Sequence, residues 1–310
     1  MESLLCNEVW LMSPDRACIH ANAHLPTKQD FDETFATFQG KETRYLPQSG
    51  YPNLIHTHHS IRNARFKAVT WIIKSQTRMD LSPETLFAAV NYLDRFISLS
   101  QCQGWKCWMF ELLSVACLSI ATKFNDTTAY QLHEFQEDLE NSFSPNLIQR
   151  MELTVLKALD WRVDSTTPFS YIHLLTPTNK TLVEELTQRV TQLLVVSLLD
   201  PKFLEFQQCV VAIAAVRTVF QDLHLPPSDY AHLADTLIPQ DIKDDLIRCQ
   251  MLMEKLVVED GIFLAYSGPS SPVTVLKVDL FNFYDISLKT TAKNMDLRSS
   301  RKRKMEEEGF

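Results

Sequence analysis

In RNARFKAVTWIIKSQ the residues Phe66, Val69, Ile72 and Ile73 recur at three- and four-residue spacing, which predicts an amphipathic helix over residues 61–76. LSPETLFAAVNYLDRFISL then offers Ser82 as N-cap, Pro83 at the first helical position and Glu84 beside the positive end of the dipole, so a second helix is expected to run to about Ser98. From Trp108 to Phe124 the chain is apolar on most of its circumference, with Ala, Ser and Cys between the large residues. A helix of that kind belongs at the centre of a bundle. A short helix is expected around Gln131–Glu140. SPNLIQRMELTVLKALDW repeats the Ser-Pro start at Ser144 and sets Ile148, Met151, Val155 and Leu159 in a stripe.

A second series of helical patterns follows at 168–176, 180–199, 205–222, 228–236 and 239–258. CVVAIAAVRTVF is its apolar centre, in the same ordinal place as the central helix of the first series. Two five-helix bundles of one architecture are therefore expected, without a residue-level repeat. The pattern weakens at both ends. Residues 1–50 read as a mobile arm with a short helix near Asp30–Thr43, residues 51–165 and 166–260 as the two bundles, and 261–310 as a tail.

Composition supports an all-α fold. The chain has 310 residues, enough for two cores, and only 6 glycines. Average usage would supply roughly three times as many, and a glycine-poor chain is expected to have few tight left-handed turns and few backbone cradles for phosphate, which favours helices. A formal charge of -8 opposes general nucleic-acid binding. Seven scattered cysteines read as reduced thiols of an intracellular protein rather than a disulfide framework. No secretory signal is recognisable, and no apolar run is read as reaching membrane-spanning length, so no membrane partner is expected.

Several words carry chemistry. His56, His58 and His59 invite a metal reading, and Cys102 with Cys107 a zinc one, but neither has a second half nearby; linker and packed thiol are the preferred readings, with no metal and no cofactor. No nucleotide-binding, zinc-protease or hydrolase motif occurs, so no catalytic residue is assigned and the chain is not read as an enzyme. In the opening LLCNE, the residues Leu4, Cys6 and Glu8 would share one face of an extended strand, as in a docking peptide, although chance also produces the spacing. Near the end, Arg298, Arg301, Lys302, Arg303 and Lys304 form a basic cluster that reads either as a solvated tail or as a nuclear import signal. Ser271-Pro272 is a candidate phosphorylation site.

Trp71, NYLDRF, ATKF and RMELTVLKALDW, in this order and at these intervals, resemble the cyclin box in the version found in plant D-type cyclins. The resemblance covers about residues 28–260, more strongly over 61–170. The opening MESLLCNEVW and the basic ending look most like the seventh D subgroup. It implies an internal ion pair between Arg65 and Asp94. It also implies that Lys123, ending the central helix, and Glu152, one turn into the fifth helix, contact a cyclin-dependent kinase, with Phe124, Leu156, Trp161 and Val163 supplying apolar contacts around them. An ammonium offers donors and a carboxylate acceptors, so one of each can hold a loop at two points. By helical spacing, Leu156 and Val163 also read as core.

By the same resemblance, Leu4, Cys6 and Glu8 dock in a pocket of a retinoblastoma-related protein, and a kinase inhibitor is a further partner. The function implied is an activating kinase subunit that promotes G1/S entry, located in the nucleus and also the cytoplasm. Two departures stand out. Ala64, Lys67 and Ala68 occupy the apolar places of the family's substrate-docking groove, with Lys74 at its acidic place, leaving only Trp71. KFND replaces the more acidic KFEE, with Asp126 at the acidic place. The alternative function is a cyclin-fold DNA-binding or scaffold protein, which requires a basic face on the bundles.

Overall fold

The computed structural model describes residues 28–128, 130–176, 180–223 and 240–260. Among them every regular element is helical. The α-helices are α1 (Lys28–Glu42), α2 (Tyr51–Thr57), α3 (His59–Arg78), α4 (Pro83–Ser100), α5 (Cys107–Asn125), α6 (Pro145–Ala158), α7 (Ile172–Leu175), α8 (Lys180–Ser197), α9 (Gln208–Asp222) and α10 (Gln240–Asp260). Local chemistry accounts for several boundaries. Ser82 accepts a hydrogen bond from the Thr85 N–H at the start of α4, with Pro83 at the first position. Gln101, with φ of 51°, ends that helix in the left-handed region.

In the first bundle α5 lies at the centre, packed against α3, α4 and α6, and its residues from Leu112 to Thr122 are all buried. At 19 residues it is long and apolar enough to cross a bilayer, which corrects the expectation that no run reaches that length. Its burial inside the bundle makes it a core helix. In the second bundle α9 has the corresponding place, packed against α8 and α10 and buried from Cys209 to Val216.

Two expectations need correction. The helix at 131–140 is only a 3-10 turn, Glu134–Gln136, because this segment is held by tertiary contacts rather than by its own ladder. Phe135 is buried, and Arg78 pairs with Glu137 at 3.2 Å and with Asp138 at 3.1 Å. The helix expected over 205–222 begins at Gln208, after a separate 3-10 turn at Pro201–Glu205. The expected helix at 228–236 lies outside the described residues.

Helix α1 ties the two bundles together. Phe35 and Phe38 pack on Tyr171 with centroids 5.4 and 5.5 Å apart. At the end of α1 the buried Glu42 carboxylate accepts from the Tyr171 hydroxyl at 2.8 Å and from the N–H groups of Gln208 and Cys209, the first two residues of α9. It therefore caps a helix of the other bundle, placing negative charge at a positive helix end. Burial raises the Glu42 pKa above its ordinary value, and these hydrogen bonds only partly oppose that.

Candidate partner-binding site

The Arg65 guanidinium on α3 donates from Nε to Asp94 Oδ1 at 2.7 Å and from Nη2 to Oδ2 at 2.8 Å, a two-point grip on α4. Its Nη1 donates to the Leu198 carbonyl at 2.9 Å, reaching the second bundle, and the Tyr51 hydroxyl of α2 donates to Asp94 at 2.6 Å. Both charged side chains are nearly sealed, 3% and 6% exposed. Burial works against the guanidinium's charge, yet the Asp94 carboxylate more than offsets it and holds Arg65 above its usual range. Burial likewise pushes the Tyr51 phenol up, with the Asp94 charge adding to the effect. The pair orients helices and leaves almost no charged surface for a partner to contact.

Lys123 and Glu152 meet at the surface. Lys123 sits in the last turn of α5, where the dipole favours a cation, and Glu152 ends the second turn of α6, one turn later than expected from sequence. The Nζ donates to Glu152 Oε1 at 2.7 Å, with the lysine side chain 59% exposed and the glutamate 11%. The core packing of α5 on α6 fixes the spacing: Ile148 and Val155 are fully buried and turn the Glu152 edge of α6 toward the end of α5.

Apolar side chains follow each member of the pair along the chain. Phe124 is 47% exposed and Trp161 62%, while Leu156 and Val163 are half-buried against the core. Trp161 is presented by an unusual turn. Asp160 and Trp161 both adopt positive φ, 52° and 58°, and the Trp161 N–H closes on the Leu156 carbonyl at 2.8 Å. Neither residue is glycine, so the conformation carries strain. Buried α4 donors hold the next residues: Arg95 Nη1 reaches the Arg162 carbonyl at 2.8 Å, and the Tyr92 hydroxyl donates to that of Val163. Sequence reasoning missed Leu153, which is 47% exposed beside Glu152. Its signal was an apolar residue lying off the stripe of Ile148, Met151, Val155 and Leu159.

Other candidate residues have different surroundings. Asp126 accepts from the Ser82 N–H at 3.3 Å and from the Thr85 hydroxyl at 2.6 Å, so its carboxylate is engaged in starting α4. Trp71 is buried and donates its indole N–H to the Glu137 carbonyl at 3.0 Å, and Lys67 lies 3.9 Å from Glu140. The segment around Glu137 thus covers this face of α3. Ala68 is buried, and Ala64 and Lys74 are half-buried. His56 lies 3.4 Å from Glu205, and the thiol of buried Cys102 is pushed up to about 12 by burial, which disfavours the thiolate a metal needs. Among the described residues no group of three or more His, Cys, Asp or Glu is placed to hold a metal ion. Leu4, Cys6 and Glu8, the cluster from Arg298 through Arg301, Lys302, Arg303 and Lys304, and Ser271 lie outside the described residues.

Comparison with known proteins matches residues 33–164 to the cyclin N-terminal domain and 166–266 to the cyclin C-terminal domain. Cyclin-D2-2 of Oryza sativa subsp. japonica is 35% identical over 261 residues, covering 82% of this chain and 73% of that protein. Cyclin-D1-1 of Arabidopsis thaliana is 30% identical over 243 residues, 74% of this chain and 69% of the relative. The putative cyclin-D7-1 of Oryza sativa subsp. japonica is 41% identical over 160 residues, 51% of this chain and 45% of the relative. In fold, the chain is similar to a viral cyclin from herpesvirus saimiri, with a TM-score of 0.54 at 15% identity, covering 66% of this chain and 88% of that one. A chain of the yeast RNA Pol II CTD kinase CTDK-1 complex gives 0.52 at 10% identity, covering 80% and 83%. With both cyclin domains matched in order and relatives of this kind over most of its length, the chain belongs to the cyclin family, among the D-type cyclins of plants.

Proposed function

We propose that this chain is the activating regulatory subunit of a cyclin-dependent kinase, and that it promotes the G1/S transition by directing the kinase to a retinoblastoma-related protein. The observation that carries the proposal is the Lys123–Glu152 pair, at 2.7 Å, in which an exposed ammonium meets a largely buried carboxylate, with Phe124, Leu153 and Trp161 exposed on the same two helices and the turn that follows. A surface joining one ammonium, one carboxylate and exposed rings suits a partner that presents backbone donors and acceptors beside an apolar helix. Solved relatives in fold include a kinase complex, which is consistent with such a partner.

The mechanism is allosteric. A protein kinase needs the Glu of its αC helix paired with the strand Lys that positions ATP phosphates. A partner that binds only the inward position of that helix shifts the population toward it by its differential affinity. All transferred atoms belong to the kinase and its substrates. Leu4, Cys6 and Glu8 supply a strand for the retinoblastoma-related pocket, raising the effective concentration of its phosphorylation sites. Arg301, Lys302, Arg303 and Lys304 direct the complex to the nucleus, where its substrate acts, and a kinase inhibitor is a further partner of the assembled pair.

The test is reconstitution of the purified chain with a plant cyclin-dependent kinase, using a histone peptide and a retinoblastoma-related fragment as substrates. Activation toward both is expected from the native chain. Joint replacement of Leu4, Cys6 and Glu8 by Ala is expected to reduce turnover of the fragment alone. No activation toward either substrate would contradict the kinase role, and an undiminished rate on the fragment would contradict the docking role.

A further inference from the structure

Four Ser-Pro or Thr-Pro steps have their hydroxyl residue among the described residues: Ser82, Ser144, Thr167 and Thr176. In sequence they are equivalent. The fold separates them. Ser82 is half-buried, and its hydroxyl accepts from the Thr85 N–H and lies 3.0 Å from the Thr85 hydroxyl. Thr167 is buried inside a reciprocal cap with Ser170. Thr176 is buried and donates to the Ile172 carbonyl at 2.9 Å. Ser144 is exposed, extended at φ -67° and ψ 146°, and its hydroxyl makes no capping bond although it stands at the N-cap of α6.

We propose that Ser144 is a phosphorylation site for a proline-directed protein kinase. The Ser144 Oγ attacks the γ-phosphorus of ATP, the new Oγ–P bond forms as the bond to the β,γ-bridging oxygen breaks, ADP leaves, and the hydroxyl proton passes to the kinase's catalytic base. Upstream, Asn141 and Ser142 are exposed, whereas Phe143, directly before the serine, is buried and its N–H donates to Gln136 Oε1 at 2.6 Å, a contact the kinase must release. Downstream, the first turn of α6 must fray. Pro145 has no N–H to lose, and the turn is closed by bonds from the Leu147 and Ile148 N–H groups to the Ser144 carbonyl at 2.9 and 3.2 Å.

The modification would act on the helix that carries Glu152 and Leu153. A phosphate at its N-cap places negative charge at the positive end of the dipole, where no side chain now serves as cap. Three residues upstream, Asn141 donates to Glu111 at 2.8 Å, and Glu140 precedes it in sequence, so carboxylates stand on the approach to the site. This inference does not depend on the kinase-binding role proposed above.

The experiment treats the folded full-length chain with ATP and a purified proline-directed kinase and follows each site by quantitative phosphopeptide mass spectrometry. Ser144 is expected to be modified at least ~10-fold faster than Ser82, Thr167 or Thr176, because among the four only its hydroxyl is both exposed and without a capping bond. Ser144→Ala is expected to remove that signal without shifting the melting midpoint, since the hydroxyl caps nothing. Equal rates at the four sites, or modification of Ser144 only after the chain is denatured, would overturn the proposal.

Discussion

Two ion pairs in the first bundle join residues with the same separation in sequence, 29 positions, and they do opposite things. Arg65 and Asp94 are 3% and 6% exposed, and the guanidinium spends its donors on the carboxylate and on a backbone carbonyl of the second bundle. Lys123 and Glu152 are 59% and 11% exposed, and the ammonium has three donors of which Glu152 takes one. The first pair is closed off from solvent and joins the two bundles from within. The second has capacity left for another molecule. Burial, which spacing does not encode, separates a clamp from a candidate binding surface.

The comparison can be broken most sharply at Asp94. Asp94→Ala strands a buried guanidinium, and a loss of about 3–5 kcal/mol of unfolding free energy is expected in urea titrations. A loss below ~1 kcal/mol, the value typical of exposed pairs, would erase the distinction. Next comes Glu42, a buried carboxylate that caps rather than pairs. Glu42→Ala leaves the Gln208 and Cys209 N–H groups and the Tyr171 hydroxyl short of an acceptor, and should cost about 1–3 kcal/mol.

Glu42 also carries a pH signature. Its folded pKa lies above the ordinary 4.5, so the stability it contributes is complete below that value and is lost as pH rises through the folded one. Glu42→Gln resembles the protonated form. The melting midpoint of that variant relative to the native chain is expected to rise with pH across this window, and a flat or falling difference would reverse the sign of the burial effect.

Smaller effects sharpen the exposed side of the comparison. Trp161→Asn relieves a positive φ that Asn tolerates, so stability is expected to rise by roughly 0.5–1 kcal/mol while kinase binding weakens. A double-mutant cycle between Lys123 and Glu152 should give a coupling of about 0–1 kcal/mol in the free chain. Coupling well above that range would make this pair a clamp as well.

The central helices were legible because their signals are local. Ser-Pro starts and three-and-four spacing place α4 and α6 almost to the residue, and the all-round apolar run places α5 in the core. Helix α2 has no signature in the sequence, since seven residues give too little periodicity. Its start depends on Gly50, with φ of 93°, and on Pro52. The segment at 131–140 failed in the other direction, because Arg78 and Trp71, more than 50 residues earlier, decide its path. At the candidate site the charged residues were named from resemblance, but nothing local announces the exposure of Trp161, where two non-glycine residues hold the left-handed turn. Glu42 was beyond reach for the same reason: its partners lie 129 to 167 residues away.

The most direct test of the account is the affinity of the purified chain for a purified cyclin-dependent kinase after Lys123 and Glu152 are both replaced by Ala, measured by calorimetry beside a thermal melt. The account predicts affinity reduced by at least ~10-fold, with the helical signal and melting midpoint close to those of the native chain. Native affinity in a correctly folded double variant would contradict it.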